Sequence, residues 1–296
     1  MIQYRITLEF LRENPLPLPT GEGDKEARGR VIVIGGSRET PGAALLAGVS
    51  ALRAGAGKLQ IATGQSVAAV IGATLPEARV IGLSETTSGD IAPTNAERLI
   101  GQIKDGDAVV LGPGMIDDQA AGALAAAILS TSSPTSFVVD AGALTGLRHH
   151  TSCFTRQAGH KVITPHAGEM ATFLGIERSA VLADPAGIAR RASEVTQGVV
   201  VLKGGCTHIA TPAGEVWACD HGNIGLGTSG SGDTLAGIIA GLLARGTSPL
   251  LAAQWGVYMH GEAGQRLEHK QGLLGYLASE IPLEIPGIMK DIGDGA

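Results

Sequence analysis

The chain has 296 residues, of which 44% are hydrophobic and 17% are charged. This composition is typical of a globular protein with one large α/β domain or two smaller ones. A net charge of −6 and only 3% aromatic residues argue against nucleic acid as a partner. The N-terminal sequence lacks the basic and apolar regions of a signal peptide, and no uncharged apolar run reaches the roughly 18 residues of a membrane span.

The three cysteines of the chain, Cys153, Cys206 and Cys219, form no CxxC pair. Their odd number and wide spacing favour a reducing compartment, without a disulfide framework or a zinc knuckle. We therefore expect a cytoplasmic protein that does not associate with membranes.

Residues 1–28 differ in pattern from the rest of the chain. They contain Pro15, Pro17 and Pro19, followed by a polar, glycine-containing stretch. We interpret this segment as an N-terminal leader that packs along the surface or against a neighbouring subunit. Regular apolar patterns begin at Arg30, and no repeat or obvious linker follows. A single domain over residues 29–296 is the favoured organisation.

From Arg30 onward, short β-branched runs alternate with helical patterns. Strands are predicted at residues 30–34, 58–63, 78–83, 107–112, 136–140, 161–166 and 199–205, with a hairpin at 207–211 and 215–219. Helices are predicted at residues 42–53, 65–72, 96–103, 117–129, 168–174, 184–196 and 249–268, and in a helical pattern over 273–290 that Pro282 and Pro286 break. This alternation predicts a doubly wound α/β fold, with a mostly parallel sheet and helices on both faces.

A glycine-rich loop between Asn223 and Gly232 leads directly into a helix that ends near Gly246. Backbone N–H groups and the positive end of the helix dipole favour an oxyanion at such a junction. The spacing Gly227-xxxx-Gly232 matches a P-loop, except that Asp233 replaces the lysine. A carboxylate cannot neutralise phosphate, but it can act as a general base for a hydroxyl that takes part in phosphoryl transfer. The alternative is a glycine-rich turn capped by Ser231 or Asp233.

The carboxyl ends of the predicted strands carry glycines and polar side chains. Parallel strands bring these ends to one edge of the sheet, where open α/β sheets bind their ligands. The residues expected at this edge are Gly35–Ser37, Gly114, Asp140, His166 and Lys203–Gly205. Their convergence predicts a binding site that faces the Gly230–Asp233 turn.

Several of these residues also have structural interpretations. His166 could cap a helix, Lys203 could be solvated at a strand end, and Asp140 could either cap a turn or orient Mg²⁺ through water. Cys206 is interpreted as a small loop residue rather than a nucleophile. His260 and Glu262 are interpreted as helix-face residues that pack or pair.

Seven motifs occur together in the chain. They are GGS-x4-GA at 35–43, RAGAGK at 53–58, LGPGM at 111–115, DAGAL at 140–144, TPHAGE at 164–169, LKGG-x-T at 202–207 and GTSGSGDTLAGIIAGLLARG at 227–246. In this combination and order, the sequence resembles the ADP-dependent NAD(P)H-hydrate dehydratases of the ribokinase-like superfamily, over about residues 29–280. Many relatives carry a second aspartate where this chain has Gly142, which weakens the expectation of a catalytic role for Asp140.

The resemblance implies dehydration of the S form of hydrated NADH or NADPH, with ADP or ATP converting the ring hydroxyl into a phosphate leaving group. It implies that Asp233 is the base and that Gly230, Ser231 and Gly232 form the anion hole. The hydrated nicotinamide nucleotide would contact Ala43, Gly114, His166 and Asp233. The ADP or ATP would contact Lys203, Gly204, Gly205, Cys206, Thr207 and Gly232. Mg²⁺ is expected through phosphate and water, without a dedicated set of protein ligands.

The resemblance also bears on partners. Members of the family are commonly tetramers, so a homo-oligomer is expected. The epimerase domain that is fused to some relatives is not expected here, and a separate chain would supply that activity.

Three other functions remain open from the sequence. A small-molecule kinase of the same superfamily, acting on a thiazole or pyrimidine alcohol, would share GSGD but not the full set of motifs. A non-catalytic nucleotide sensor would have no use for Asp233. A nicotinamide oxidoreductase would rest on glycine patterns alone.

Overall fold

The structure is a computed structural model that describes residues 3–18, 25–104, 106–157 and 159–293. Pro19 and the part of the predicted leader at residues 1–2 and 20–24 lie outside the described residues, as do residues 294–296 of the predicted domain. The strands are β1 (Gln3–Arg5), β2 (Arg30–Ile34), β3 (Lys58–Gly64), β4 (Ala78–Leu83), β5 (Ala108–Leu111), β6 (Ser136–Val139), β7 (Lys161–Ile163), β8 (Val199–Leu202), β9 (Thr207–Ala210) and β10 (Val216–Cys219).

These strands form one sheet in the order β1-β10-β9-β8-β7-β6-β5-β2-β3-β4. Strand β9 runs antiparallel to both of its neighbours, and the other pairings are parallel. The predicted doubly wound, mostly parallel α/β fold is therefore confirmed. The hairpin predicted at residues 207–219 is also confirmed.

Most helices of the described residues lie between successive strands, and the last three follow β10. They are α1 (Leu8–Glu13), α2 (Gly42–Arg53), α3 (Gln65–Thr74), α4 (Ala96–Ile103), α5 (Asp118–Leu129), α6 (Ala141–Gly146), α7 (Ala167–Leu174), α8 (Arg178–Ala183), α9 (Pro185–Thr196), α10 (Ser231–Ala244), α11 (Pro249–Gln271) and α12 (Ile281–Gly293). Within the described ranges, none of them combines the length and the apolar character needed to cross a membrane.

The two faces of the sheet carry separate hydrophobic cores. Alternation along β2 illustrates this, because Val31 and Val33 join one core while Ile32 and Ile34 join the other. The first core packs against α2, α10, α11 and α12, and the second packs against α4, α5, α7 and α9. Because both faces are covered, the binding edge lies where the strands end.

Two features differ from the sequence-based expectations. The leader segment contains β1, which pairs in parallel with β10 at the sheet edge, and α1, whose Leu11 is fully buried. At the C-terminus, α12 continues through Pro286. Pro282 does not break this helix because it occupies the first turn, where the missing N–H has no intrahelical acceptor to lose.

Candidate active site

A cavity of ≈ 1200 Å³ opens at the carboxyl edge of the sheet, between the strand ends and the start of α10. Nearly all of the residues predicted from the sequence line it, namely Ala43, Gly114, Asp140, His166, Lys203, Gly204, Gly205, Thr207 and Gly230–Asp233. Gly35–Ser37 and Cys206, which were also predicted for this site, are not among the lining residues. The Cys206 side chain is exposed. The structure thus places residues from the N-terminal, middle and C-terminal thirds of the chain around one space.

The glycine-rich loop reaches α10 through Gly230, which adopts a left-handed conformation with φ of 89°. Among the described residues, the backbone N–H groups of Gly230, Gly232 and Asp233 have no protein acceptor. The N–H of Ser231, by contrast, donates to the carbonyl of Thr228 at 3.2 Å. The free donors at this helix start are therefore Gly230, Gly232 and Asp233, rather than the predicted trio of Gly230, Ser231 and Gly232.

The carboxyl group of Asp233 lies in the first turn of α10 and lines the cavity. Burial and the nearby charge of Asp140 raise its pKa to about 7, against the opposing influence of Lys203. A carboxyl group that is about half ionised near neutral pH is suited to accept a proton from an alcohol. Asp233 therefore has the electrostatic character expected of a general base.

Lys203 follows β8, and its side chain lies close both to groups at other strand ends and to the start of α10. Its Nζ lies 3.1 Å from Asp140 Oδ1 and 3.8 Å from Glu169 Oε2. Burial alone would lower the pKa of Lys203, but the two carboxylates outweigh burial and raise it, so the ammonium is charged. A Cβ added at Gly232 would lie 3.0 Å from this Nζ, so a glycine there leaves room for the cation beside the helix start.

His166 begins α7 with a capping box. Its Nδ1 accepts hydrogen bonds from the N–H groups of Gly168 at 2.9 Å and Glu169 at 3.1 Å. The Glu169 carboxylate accepts in turn from the His166 N–H at 2.7 Å. The capping interpretation is therefore correct, but the ring also lines the cavity, with 59% of the side chain exposed. Nδ1 is committed as an acceptor, and Nε2 lies 3.5 Å from Glu169 Oε1.

Asp140 is held from two sides and is only 2% exposed. Its Oδ1 accepts from the Thr164 hydroxyl at 2.7 Å and from Lys203 Nζ at 3.1 Å. The side chain does not cap the helix that follows it, which excludes the capping alternative. Asp140 instead fixes Lys203 and contributes negative charge near Asp233.

The opposite wall combines Ala43 and Gly114. The Thr40 hydroxyl donates to the Gly114 carbonyl at 2.8 Å, and this joins the segment before α2 to the loop after β5. Gly114 has φ of +68°, and a Cβ there would lie 2.5 Å from Thr40 O and 2.8 Å from Ala43 Cβ. This wall therefore requires glycine at residue 114.

The polar residues that line the cavity include several that were not predicted as site residues, among them Glu169, Asn223 and His260. Glu169 was quoted only within the TPHAGE motif, where an acidic residue three positions after His166 is the signal for a capping box. Asn223 supports the loop by accepting from the Gly225 N–H at 2.9 Å and from the Tyr276 hydroxyl at 2.6 Å. His260 was assigned to helix packing, but it contacts Ser231. The interpretation of Glu262 as a pairing residue is confirmed by its contacts with His221 at 2.8 Å and Arg266 at 2.9 Å.

Comparison with known proteins gives consistent matches. A family model described as NAD(P)H-hydrate dehydratase matches residues 31–286. An ADP-dependent (S)-NAD(P)H-hydrate dehydratase of Xanthomonas campestris is 45% identical over 98% of this chain and 97% of its own length.

Two solved structures share the fold along nearly the whole chain. A ribokinase-like superfamily protein of Enterococcus faecalis has a TM-score of 0.81 at 27% identity, covering 98% of this chain and 96% of its own. The ADP/ATP-dependent NAD(P)H-hydrate dehydratase of Bacillus subtilis, co-crystallised with ATP and Mg²⁺, has a TM-score of 0.81 at 29% identity, covering 99% of both chains. The predicted ribokinase-like fold is confirmed.

Proposed function

The chain belongs to the NAD(P)H-hydrate dehydratase family, and we infer that it dehydrates the S form of hydrated NADH or NADPH with ADP or ATP as co-substrate. One observation at the site supports this inference most directly. The carboxyl group of Asp233, with its pKa raised to about 7, lies beside backbone N–H groups without protein acceptors and in the same cavity as the charged Lys203. A base next to donors for an oxyanion is the arrangement that phosphoryl transfer to an alcohol requires.

The first chemical step forms a phosphate ester at C6 of the nicotinamide ring. Asp233 accepts the proton of the C6 hydroxyl, and the hydroxyl oxygen attacks the terminal phosphorus of the nucleotide. The bond between that phosphorus and its bridging oxygen breaks, which releases AMP from ADP or ADP from ATP. The N–H groups of Gly232 and Asp233 and the ammonium of Lys203 stabilise the charge on the transferring group.

The second step expels the phosphate. The C6–O bond breaks with the electron pair leaving on phosphate, and the lone pair of the ring nitrogen stabilises the positive charge that develops at C6. Loss of a proton from C5 then restores the dihydropyridine ring. In the overall reaction, hydrated NADH and ADP give NADH, AMP and phosphate. The water removed from the ring is therefore accounted for by the hydrolysis of the phosphoanhydride.

We propose that the cavity holds two ligands. Ala43, Gly114 and His166 would contact the nicotinamide nucleotide, and Lys203–Gly205 and Thr207 with Gly232 would contact ADP or ATP. The volume of ≈ 1200 Å³ supports this division, because single-ligand pockets usually measure about 300–1,000 Å³. Asp233 lines the same cavity as both sets of residues and follows Gly232 directly in α10, so we propose that the hydroxyl and the phosphate meet at its carboxylate.

The residues present fit a Mg²⁺ ion that is bound mainly by the nucleotide. The described residues contain no group of three or more histidine, cysteine, aspartate or glutamate side chains placed to bind a metal. Asp140 and Glu169 nevertheless offer carboxylate oxygens within the cavity. These oxygens would complete a shell of phosphate and water ligands, and the bound ion would neutralise phosphate charge. A tetrameric assembly, a separate epimerase and a cytoplasmic location stay predictions.

A direct assay tests the function. The protein is supplied with hydrated NADH, Mg²⁺ and either ADP or ATP, and the absorbance of the reduced nicotinamide is followed. We expect recovery with at least one nucleotide, and recovery with neither would refute the assignment. Asp233→Asn should abolish recovery while nucleotide binding persists, because the base is lost but the backbone donors remain. Turnover close to that of the wild type in this variant would exclude Asp233 as the base.

A further inference from the structure

His260 lies on α11 and has no role in the chemistry described above. Its Nε2 is 3.0 Å from the backbone carbonyl oxygen of Ser231 and 3.0 Å from the Ser231 hydroxyl. Ser231 is the first residue of α10, two positions before Asp233. A single ring nitrogen thus contacts both oxygens of the residue that begins the phosphate-facing helix.

The contacts determine which ring nitrogen carries the proton. A carbonyl oxygen can only accept a hydrogen bond, so Nε2 of His260 must be a donor. Burial, reinforced by the charge of Lys203, lowers the pKa of His260 to about 4, so the ring is neutral at physiological pH. The imidazole is therefore the neutral Nε2–H form. Because the Ser231 hydroxyl oxygen accepts from the same Nε2–H, its own proton stays available to a ligand.

The carbonyl contact acts on the neighbouring amide through peptide planarity. The Ser231 carbonyl and the Gly232 N–H belong to one rigid trans peptide group and point in opposite directions. The Thr234 hydroxyl also donates to this carbonyl, at 2.7 Å. Two donors that hold the carbonyl on the protein side therefore direct the Gly232 N–H towards the cavity. This control matters at a helix start, where the first N–H groups lack intrahelical acceptors.

We propose that His260 is a positioning residue that, through the Ser231 carbonyl, aims the Gly232 N–H at the transferring phosphate. This proposal rests on the proposed function and adds a residue to it. The charge on the phosphoryl group develops in the transition state, so a misaligned donor weakens transition-state binding more than nucleotide binding. Loss of His260 should therefore lower kcat and leave KM for the nucleotide nearly unchanged.

Two substitutions at this residue separate positioning from simple stability. His260→Leu removes the donor, and kcat should fall about 10- to 100-fold. This fall is at most comparable to the one caused by removing a whole oxyanion-hole donor. His260→Gln keeps an N–H donor near Nε2, and most of kcat should return. His208→Leu is the matched control, since His208 is a buried imidazole on β9 that does not line the cavity. It should lower the melting temperature without the selective loss of kcat.

The outcomes are distinct. A wild-type protein that restores no NADH refutes the proposed function itself. With an active wild type, unchanged kcat in His260→Leu, or no recovery in a folded His260→Gln protein, overturns the positioning role. The peptide geometry is also tested without turnover, by the amide resonance of Gly232 in ¹⁵N-labelled protein. This resonance should shift in His260→Leu and move back in His260→Gln, and an unchanged resonance in His260→Leu overturns the proposal.

Discussion

Asp233 is surrounded by groups with opposite effects on its charge. Burial and Asp140 disfavour the carboxylate, while Lys203 favours it. Lys203 is itself held by Asp140, so removal of that one carboxylate changes the field at Asp233 twice in the same direction. The repulsion disappears, and the freed ammonium can turn towards Asp233.

The pH profile should report this balance. Because Asp233 must be ionised to accept a proton, kcat/KM of the wild type should fall about tenfold per pH unit below a midpoint near the pKa of about 7. In Asp140→Asn the pKa of Asp233 should be lower, so the midpoint should move to lower pH even though kcat also decreases. Steady-state kinetics between pH 5 and 9 measure both midpoints. An unchanged midpoint in Asp140→Asn would mean that Asp140 does not set the charge of Asp233.

The raised pKa of Asp233 also has a consequence for stability. Its pKa rises from an ordinary value of 3.8 to about 7 on folding, so the folded state favours the neutral form. The contribution of neutral Asp233 to the free energy of unfolding is fully present below pH 3.8 and is lost as pH rises through about 7. Asp233→Asn removes the penalty of ionisation. It should therefore exceed the wild type in stability at pH 8, by up to about 4 kcal/mol, and by much less at pH 5.

Thermal unfolding at the two pH values measures this difference. Asp118→Asn is a suitable control, because Asp118 also occupies the first turn of a helix but is exposed. It loses the same interaction with a helix dipole without relieving a buried charge. If Asp233→Asn were no more stable than the wild type at pH 8, the inference that folding raises the pKa of Asp233 would be wrong.

At the scale of elements, the position of α10 depends on its glycines, because they allow α2 to pack closely against it. A Cβ at Gly237 would lie 2.1 Å from the Ala47 carbonyl oxygen, and one at Gly241 would lie 2.4 Å from that of Ala51. Such distances are far below van der Waals contact. The two helices therefore pack backbone against backbone, and this packing fixes the axis along which α10 presents Asp233 to the cavity.

Two glycine substitutions should have opposite effects. Gly241→Ala forces α10 away from α2 and should lower the free energy of unfolding by about 1–3 kcal/mol. Gly101→Ala is the matched control in α4, where an added Cβ meets nothing within 4 Å. There alanine should stabilise the protein by roughly 0.5–1 kcal/mol, because it restricts the unfolded chain. Denaturant unfolding measures both, and equal effects in the two variants would contradict the close packing.

The sequence predicted elements whose signal is local and missed those that depend on tertiary contacts. The β-branched run at 30–34 and the period of α10 are local patterns, and the strand-end site followed from parallel topology. Strand β1 has only three residues and pairs with a strand more than 200 positions away, so no local pattern identifies it. The contact between His260 and Ser231 joins two helices in space, and spacing along one helix does not reveal it.

At the scale of the whole molecule, the segment before β2 is tied to the helices that form the site. Ile6 and Leu11 are buried in the same core as α10 and α11. The indole N–H of Trp255 on α11 donates to the Asn14 carbonyl at 2.8 Å. Arg245, after α10, donates to the Pro17 carbonyl at 2.9 Å. We therefore expect the leader to fold with the domain and not as an appendage.

Substitution of Leu11 tests this coupling. Its side chain is fully buried, so Leu11→Ala should lower the free energy of unfolding by about 2–5 kcal/mol, through lost burial and the remaining cavity. Because Leu11 belongs to the core that supports α10, the whole molecule should unfold in one transition at a lower temperature. Leu18→Ala should change little, since Leu18 is 81% exposed. Calorimetry measures the number of transitions and their temperatures. If Leu11→Ala showed a separate early transition and an unshifted main transition, the leader would unfold independently of the catalytic core.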